Sequence, residues 1–172
     1  MKNVTYIYED QTVALKDISM DLSKGSCIGI IGSNGAGKST LFLNFTGVLR
    51  PKQGQIFYDE KPMKYDKASL RELRKQVSIV FQDPDKQIFF SKVYDDVAFA
   101  LRNLGVDEKE INRRVNIALA SVGAKDFADK PVHFLSHGQK KRVAIAGVIA
   151  MDSEIIFMDE PSAGLDPVAT TQ

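Results

Sequence analysis

Gly32-Ser33-Asn34-Gly35-Ala36-Gly37-Lys38-Ser39-Thr40 is the stretch that decides how this chain is read. It fits the pattern G-x-x-x-x-G-K-[ST], in which a glycine-rich loop cradles phosphate groups. Glycines let the backbone curl with its N–H groups pointing inward, and the helix that follows adds positive potential at its N-terminus. In such a loop Lys38 reaches the outer phosphates, and the Ser39 hydroxyl can sit on Mg²⁺. The pattern needs a strand before it and a helix after it. Cys27-Ile28-Gly29-Ile30-Ile31 is short and apolar enough for a buried strand. Leu41-Phe42-Leu43-Asn44-Phe45-Thr46-Gly47-Val48-Leu49 predicts a helix that ends before Pro51.

The chain has 172 residues, enough for one domain with a sizeable core. With 44% hydrophobic residues, 26% charged residues and a net charge of +1, it carries no electrostatic footprint of a nucleic-acid binder. No apolar run approaches the roughly 18 residues that a membrane span requires. The N-terminus lacks the basic-then-apolar pattern of a secretory signal, so a cytosolic location is expected. The single cysteine, Cys27, cannot form an internal disulfide, and its apolar neighbours predict packing in the core.

Alternation of Val4, Tyr6 and Tyr8 with Thr5 and Ile7 predicts a strand over 3–8. Residues 13–22 return as a second strand after the turn at Glu9-Asp10-Gln11, so a hairpin is the simplest pairing. Further strands are expected over 55–58 and 77–81. A short helix over 69–74 carries Ser69 at its cap and Glu72 three residues on. From about residue 85 to 137 the character becomes helical. Val93, Val97, Ala100, Leu101 and Leu104 share one face up to Gly105. Ile111, Val115, Ala118, Leu119 and Val122 share another, behind the capping pattern Asp107-x-x-Glu110 and ahead of Gly123. A last helix is expected over 140–151, with Val143, Ile145, Ala146, Ile149 and Ala150 largely buried. The fully apolar Ile155-Ile156-Phe157-Met158 then reads as a strand in the centre of a parallel sheet.

That strand ends in Asp159-Glu160, which downstream of a phosphate loop makes a Walker B arrangement. Asp159 can hold Mg²⁺ directly or through water, and Glu160 is placed to orient or deprotonate an attacking water.

With these two motifs in place, the chain resembles the ATP-binding subunits of ABC transporters over essentially its whole length. Leu135-Ser136-His137-Gly138-Gln139 is similar to the LSGGQ signature. Gln82, at the end of a strand, is similar to the Q-loop glutamine, and Ser162-Ala163-Gly164-Leu165-Asp166 to the D-loop after Walker B. Tyr8 stands where the family has an aromatic that stacks on adenine, with Tyr6 on the same side of the strand as the alternative. The resemblance implies an α/β fold: a P-loop NTPase core with a mixed, mostly parallel sheet, an N-terminal antiparallel β-part and an inserted α-helical subdomain. It implies a single domain over 1–172, with the nucleotide-binding core at 1–84 and 138–172 and the helical subdomain at 85–137.

The resemblance also implies roles. ATP with Mg²⁺ would be held by residues 32–40 and Asp159, with Glu160, Lys38 and Gln82 in the chemistry. Gln82 would contact Mg²⁺ or the attacking water and couple the site to a membrane partner. Ser136 and Gly138, with Gln139 in the same signature, would reach the γ-phosphate of ATP held by a second subunit, head to tail, in a homo- or heterodimer. Asp166 would sit at that interface. The stretch Val80-Phe81-Gln82-Asp83-Pro84-Asp85-Lys86-Gln87-Ile88-Phe89 and the run from Gln139 to Gly147 look like the ATPases of energy-coupling-factor importers, closest to those for cobalt or nickel. That implies a transmembrane coupling subunit, docked near residues 85–99, a substrate-binding membrane component, and a peripheral place on the cytoplasmic face of the membrane. The alternatives are a soluble ABC-type ATPase and a nucleotide-binding domain without turnover.

Two departures from the family pattern stand out. His137 replaces a glycine in the signature, which is expected to be tolerated. The chain stops at Gln172, before the family's last strands and its switch histidine, so a fragment is expected.

Overall fold

The computed structural model describes residues 1–23 and 25–161. The chain divides into two compact units, Met1–Val77 and Ser78–Gln172.

The first unit is built on β1 (Lys2–Ile7), which pairs antiparallel with β2 (Val13–Ile18) and with β3 (Gln53–Gln55), in the order β2-β1-β3. The expected hairpin forms, with Val4 opposite Ile18 and Tyr6 opposite Leu15. Its turn is held by the Asp10 carboxylate, which accepts from the Thr12 N–H at 2.9 Å. Val4 and Leu15 are buried. β2 ends at Ile18, four residues short of the expected strand over 13–22, and Asp17 within it has a left-handed backbone (φ 52°). β3 passes so close to β1 that only glycine fits at Gly54: its φ is 80°, and an added Cβ would lie 2.3 Å from the Asn3 carbonyl oxygen.

Residues 27–31 are not the buried strand that their composition suggests. They lack strand geometry, Cys27 is exposed rather than packed, and Ile31 is 99% exposed. A strand exists through its ladder to neighbours, and among the described residues no named strand pairs with this run. Helix α1 (Lys38–Phe45) follows the phosphate loop but stops four residues before the expected end at Leu49. The Thr46 N–H closes on Phe42 O, and Gly47 (φ 69°) turns the chain away. The small hairpin β4 (Phe57–Tyr58) and β5 (Lys61–Pro62) leads into α2 (Lys67–Gln76). The cap of α2 is Asp66, not Ser69: its carboxylate accepts from the Ser69 N–H at 3.0 Å and the Ser69 hydroxyl at 2.7 Å. The helix starts at Lys67, so Ser69 lies in its first turn and supplies the amide that the cap accepts from.

At the boundary where the second unit begins, β6 (Val77–Val80) pairs with β7 (Ile155–Met158). β7 is not buried on both faces as its composition suggests. Phe157 is buried, while Ile156 and Met158 are each 39% exposed, and among the described residues β6 is its one partner strand. Three helices form the core: α3 (Val93–Leu104), α4 (Glu108–Ser121) and α5 (His137–Met151). Val93, Val97 and Leu101 of α3 meet Ile111, Val115, Ala118 and Leu119 of α4 and Val143, Ala146 and Ala150 of α5. Gly105 (φ 78°) closes α3, as expected. Asp107 caps α4 by accepting from the Lys109 N–H at 2.9 Å. Glu110 does not return to the cap. Arg113 and Arg114 both donate to it, and they hold its carboxyl at about 2, well below the usual carboxylate range.

Leu119 is fully buried among these helices, so Leu119→Ala is expected to lower unfolding free energy by about 2–5 kcal/mol in urea melts. A loss under about 1 kcal/mol would contradict this packing.

Candidate functional site

The phosphate loop lies in the first unit. Ala36 N–H donates to Ser33 O at 3.1 Å and closes a turn over Ser33, Asn34 and Gly35. Gly35 (φ 80°) and Gly37 (φ 89°) take the left-handed conformations that the curl demands. At Gly37 the requirement is doubled, because a Cβ would lie 2.5 Å from the Ala14 carbonyl oxygen of β2. Gly37 is the N-cap of α1, so Lys38, Ser39 and Thr40 form its first turn. No side chain caps this end, which suits amides meant for an anion. Lys38 Nζ donates to Gly32 O at 2.8 Å and to Ser33 O at 3.0 Å, curling over the loop. An arriving phosphate would exchange these neutral carbonyls for charged oxygens.

Tyr8 lies just beyond β1. Its ring stands edge-on to Tyr6, 5.0 Å between centroids at 86°, so the two do share a side of the chain. The Tyr8 hydroxyl shares a hydrogen bond of 2.8 Å with Thr40 Oγ1. Thr40 is itself buried, so its hydroxyl is spent on Tyr8, a link the sequence reading did not foresee.

The second unit holds the other expected residues. Asp159 is buried at the end of β7, and its N–H donates to Val80 O at 2.9 Å. One residue on, Glu160 has φ 46°, a left-handed backbone that side chains other than glycine adopt at a cost. Gln82, just past β6, donates from Nε2 to Glu160 Oε2 at 2.7 Å. The glutamine and the carboxylate, 78 residues apart in sequence, are thus one hydrogen-bonded pair.

The sequence reading missed Lys141. It is fully buried, and its ammonium donates to Phe81 O at 2.9 Å, Gln82 O at 2.9 Å and Glu160 O at 3.4 Å. Burial pushes the pKa of this lysine down, while the negative charges of Asp159, Glu160 and Asp83 act against that. A signal was present: Lys141 shares a buried helical face with Ala144 and Val148. Two neighbours add to the attachment of this segment to α5. Gln87 accepts from the Phe81 N–H at 3.0 Å and donates to Ala144 O at 3.1 Å, and Lys140 pairs with Asp85 at 2.7 Å.

The signature-like stretch opens α5. The helix begins at His137 rather than at Lys140, with Ser136 as its N-cap. Ser136 Oγ accepts from the Gln139 N–H at 3.3 Å, and Gln139 Oε1 accepts from the Ser136 N–H at 2.9 Å, a reciprocal capping box. His137 is exposed. Gly138 follows it in the first turn, and Asp166 lies outside the described residues. Ser136→Ala removes the cap and is expected to cost about 1 kcal/mol in thermal melts, with Ser136→Gly costing less.

Known proteins resemble this chain along its length. The sequence profile described as ABC transporter matches residues 15–163. An energy-coupling factor transporter ATP-binding protein of Methanocaldococcus jannaschii is 53% identical over 171 residues, covering 99% of this chain and 61% of the relative. A cobalt import ATP-binding protein of Salmonella paratyphi A is 51% identical over 165 residues, covering 96% of this chain and 60% of the relative. The chain therefore spans about three fifths of these curated relatives. A dimeric ATP-binding cassette solved in a post-hydrolysis state with ADP and phosphate superposes with a TM-score of 0.90 at 28% identity, covering 99% of this chain and 77% of that one. The fold is thus the α/β P-loop NTPase core with a helical insertion, and the chain belongs to the ABC transporter family.

Proposed function

We propose that this chain is the ATP-binding and ATP-hydrolysing part of a subunit that powers an energy-coupling-factor importer of cobalt or nickel ions. The observation that carries the reading is the 2.7 Å pair of Gln82 and Glu160 at the ends of β6 and β7, in a chain that also has the phosphate loop. The names of the energy-coupling and cobalt-import relatives support the transport assignment.

ATP is the substrate. Lys38 and the amides at the start of α1 would bind its phosphates, and Tyr8, anchored through Thr40, would offer a ring face to the base. Glu160 would accept a proton from the attacking water, and the Gln82 amide fixes the orientation of that carboxylate. A primary amide donates through nitrogen and accepts through oxygen, so Gln82 can hold Glu160 and still present an oxygen to a cation. The Ser39 hydroxyl, the Asp159 carboxylate and the Gln82 amide are all oxygen donors, the set that suits Mg²⁺. Among the described residues no group of three or more His, Cys, Asp or Glu could hold a metal ion. When bound, Mg²⁺ would supply charge neutralisation at the ATP phosphates.

Ser136, Gly138 and Gln139 would complete the site of a second subunit, head to tail, in line with the dimeric cassette solved with ADP and phosphate. The domain division follows the same logic, with 85–137 as the helical subdomain between core segments 1–84 and 138–172. Among the described residues no helix is long and apolar enough to cross a membrane. A peripheral place beside membrane subunits suits the exposed aromatics Phe89, Phe90 and Phe99. Asp96 fixes their loop by accepting from the N–H groups of Phe89 at 2.8 Å and Phe90 at 3.0 Å. The Phe90 and Phe99 rings lie 5.1 Å apart. Such a cluster is costly to leave in water, and a transmembrane coupling subunit is the partner we assign to it.

Glu160→Gln in the whole protein is expected to slow steady-state phosphate release at least about 100-fold while ATP still binds and dimers accumulate. Hydrolysis at the parent rate would sink the assignment. Phe89→Asp is expected to abolish co-purification with membrane subunits and leave ATP binding intact. Unchanged co-purification would move the docking surface elsewhere.

A further inference from the structure

We infer that Lys141 is a positioning residue: its buried ammonium fixes the backbone segments that carry Gln82 and Glu160 and ties both to the signature helix α5. The inference rests on the ATPase reading above and goes beyond it to a residue outside the recognised motifs.

An ammonium has three donors and no acceptor, so a buried one must find three acceptors or deprotonate. Lys141 finds them in Phe81 O, Gln82 O and Glu160 O. Two of these carbonyls belong to the residues whose side chains make the 2.7 Å pair. The third belongs to Phe81, whose own N–H is held by Gln87. One side chain therefore sets the spacing between the segment after β6 and the segment after β7. The geometry it holds is not the resting preference of the chain, since Glu160 has φ 46°. A donor on the Glu160 carbonyl offsets part of the cost of that conformation. Without the ammonium, three carbonyls lose a donor together, and the left-handed turn loses its brace.

The same side chain gives α5 a direct hold on the pair. Ser136 and Gln139 begin this helix, and Lys141 lies in its second turn. Gln87, bonded to Ala144 O, and Asp85, paired with Lys140, attach the rest of the segment to successive residues of the same helix. A shift of α5 at its N-terminus therefore moves the backbone under Gln82 and Glu160 with it. Among these links only Lys141 reaches both segments.

The test compares Lys141→Met and Lys141→Arg in the whole protein. Two quantities are read: ATP turnover with KM, and amide hydrogen exchange without nucleotide. Lys141→Met, of similar length but without donors, is expected to lower kcat at least about tenfold with KM for ATP within about threefold. Exchange should accelerate at residues 81–87 and at 159 and 160, while α3 and α4 keep their protection. Lys141→Arg keeps the donors and the charge and is expected to recover most of both losses. Should Lys141→Met fail to fold, Lys141→Leu, which also lacks donors, is read by the same criteria. Wild-type kcat in the donorless variant, unchanged exchange at those residues, or losses that arginine does not recover would overturn the inference. If the wild-type protein hydrolyses no ATP, the ATPase reading fails, and the exchange measurement alone then decides the role of Lys141.

Discussion

A buried ammonium cannot stay charged without acceptors, and in the second unit that constraint organises the ends of both strands. Lys141 satisfies it with three backbone carbonyls from two segments. The carbonyls could have gone to water or to a sheet ladder. Their commitment to one side chain ties the segments that follow β6 and β7 to the second turn of α5. The carboxylate of Glu160 then meets the amide of Gln82. The apolar packing of α3, α4 and α5 supplies the rigid body on which this small polar arrangement depends.

The first unit solves a different problem. An anion site needs backbone amides that have no other partner, and such amides are unstable unless the chain around them is fixed. Fixing comes from close contact: Gly37 is pressed against the Ala14 carbonyl, Gly54 against that of Asn3, and Tyr8 is tied to Thr40. Each contact is short-range and sterically exacting. A methyl group at Gly37 would disturb the loop as surely as the loss of Lys38.

Local patterns in the sequence translated well where the physics is local. The faces of α3 and α4 follow from a 3.6-residue period, and Val93, Val97, Ile111, Val115 and Leu119 are buried as that period predicts. The phosphate loop and Asp159-Glu160 were legible because spacing alone carries their chemistry. Residues 27–31 were misjudged because apolar composition is a property of the run, while strand formation is a property of its neighbours. Asp66 went unseen as a cap because Ser69 and Glu72 offered a local pattern of their own. Lys141 was hidden between Lys140 and Arg142 as one more charge on an apparently solvated turn. Only its phase with Ala144 and Val148 set it apart.

The packing of α3, α4 and α5 has a consequence for how the chain reaches its native state. These helices lie within 59 consecutive residues, Val93–Met151, and α4 packs against both of its neighbours in the chain, α3 and α5. Helices form in about a microsecond, and low contact order speeds their assembly. β1 must instead find β3 across some 50 residues, at a larger entropic cost of closing the chain. The helical body is therefore the natural folding nucleus, although it lies in the second half of the sequence. During synthesis the phosphate loop and the exposed run around Ile31 leave the ribosome before the helical body that lies downstream of them.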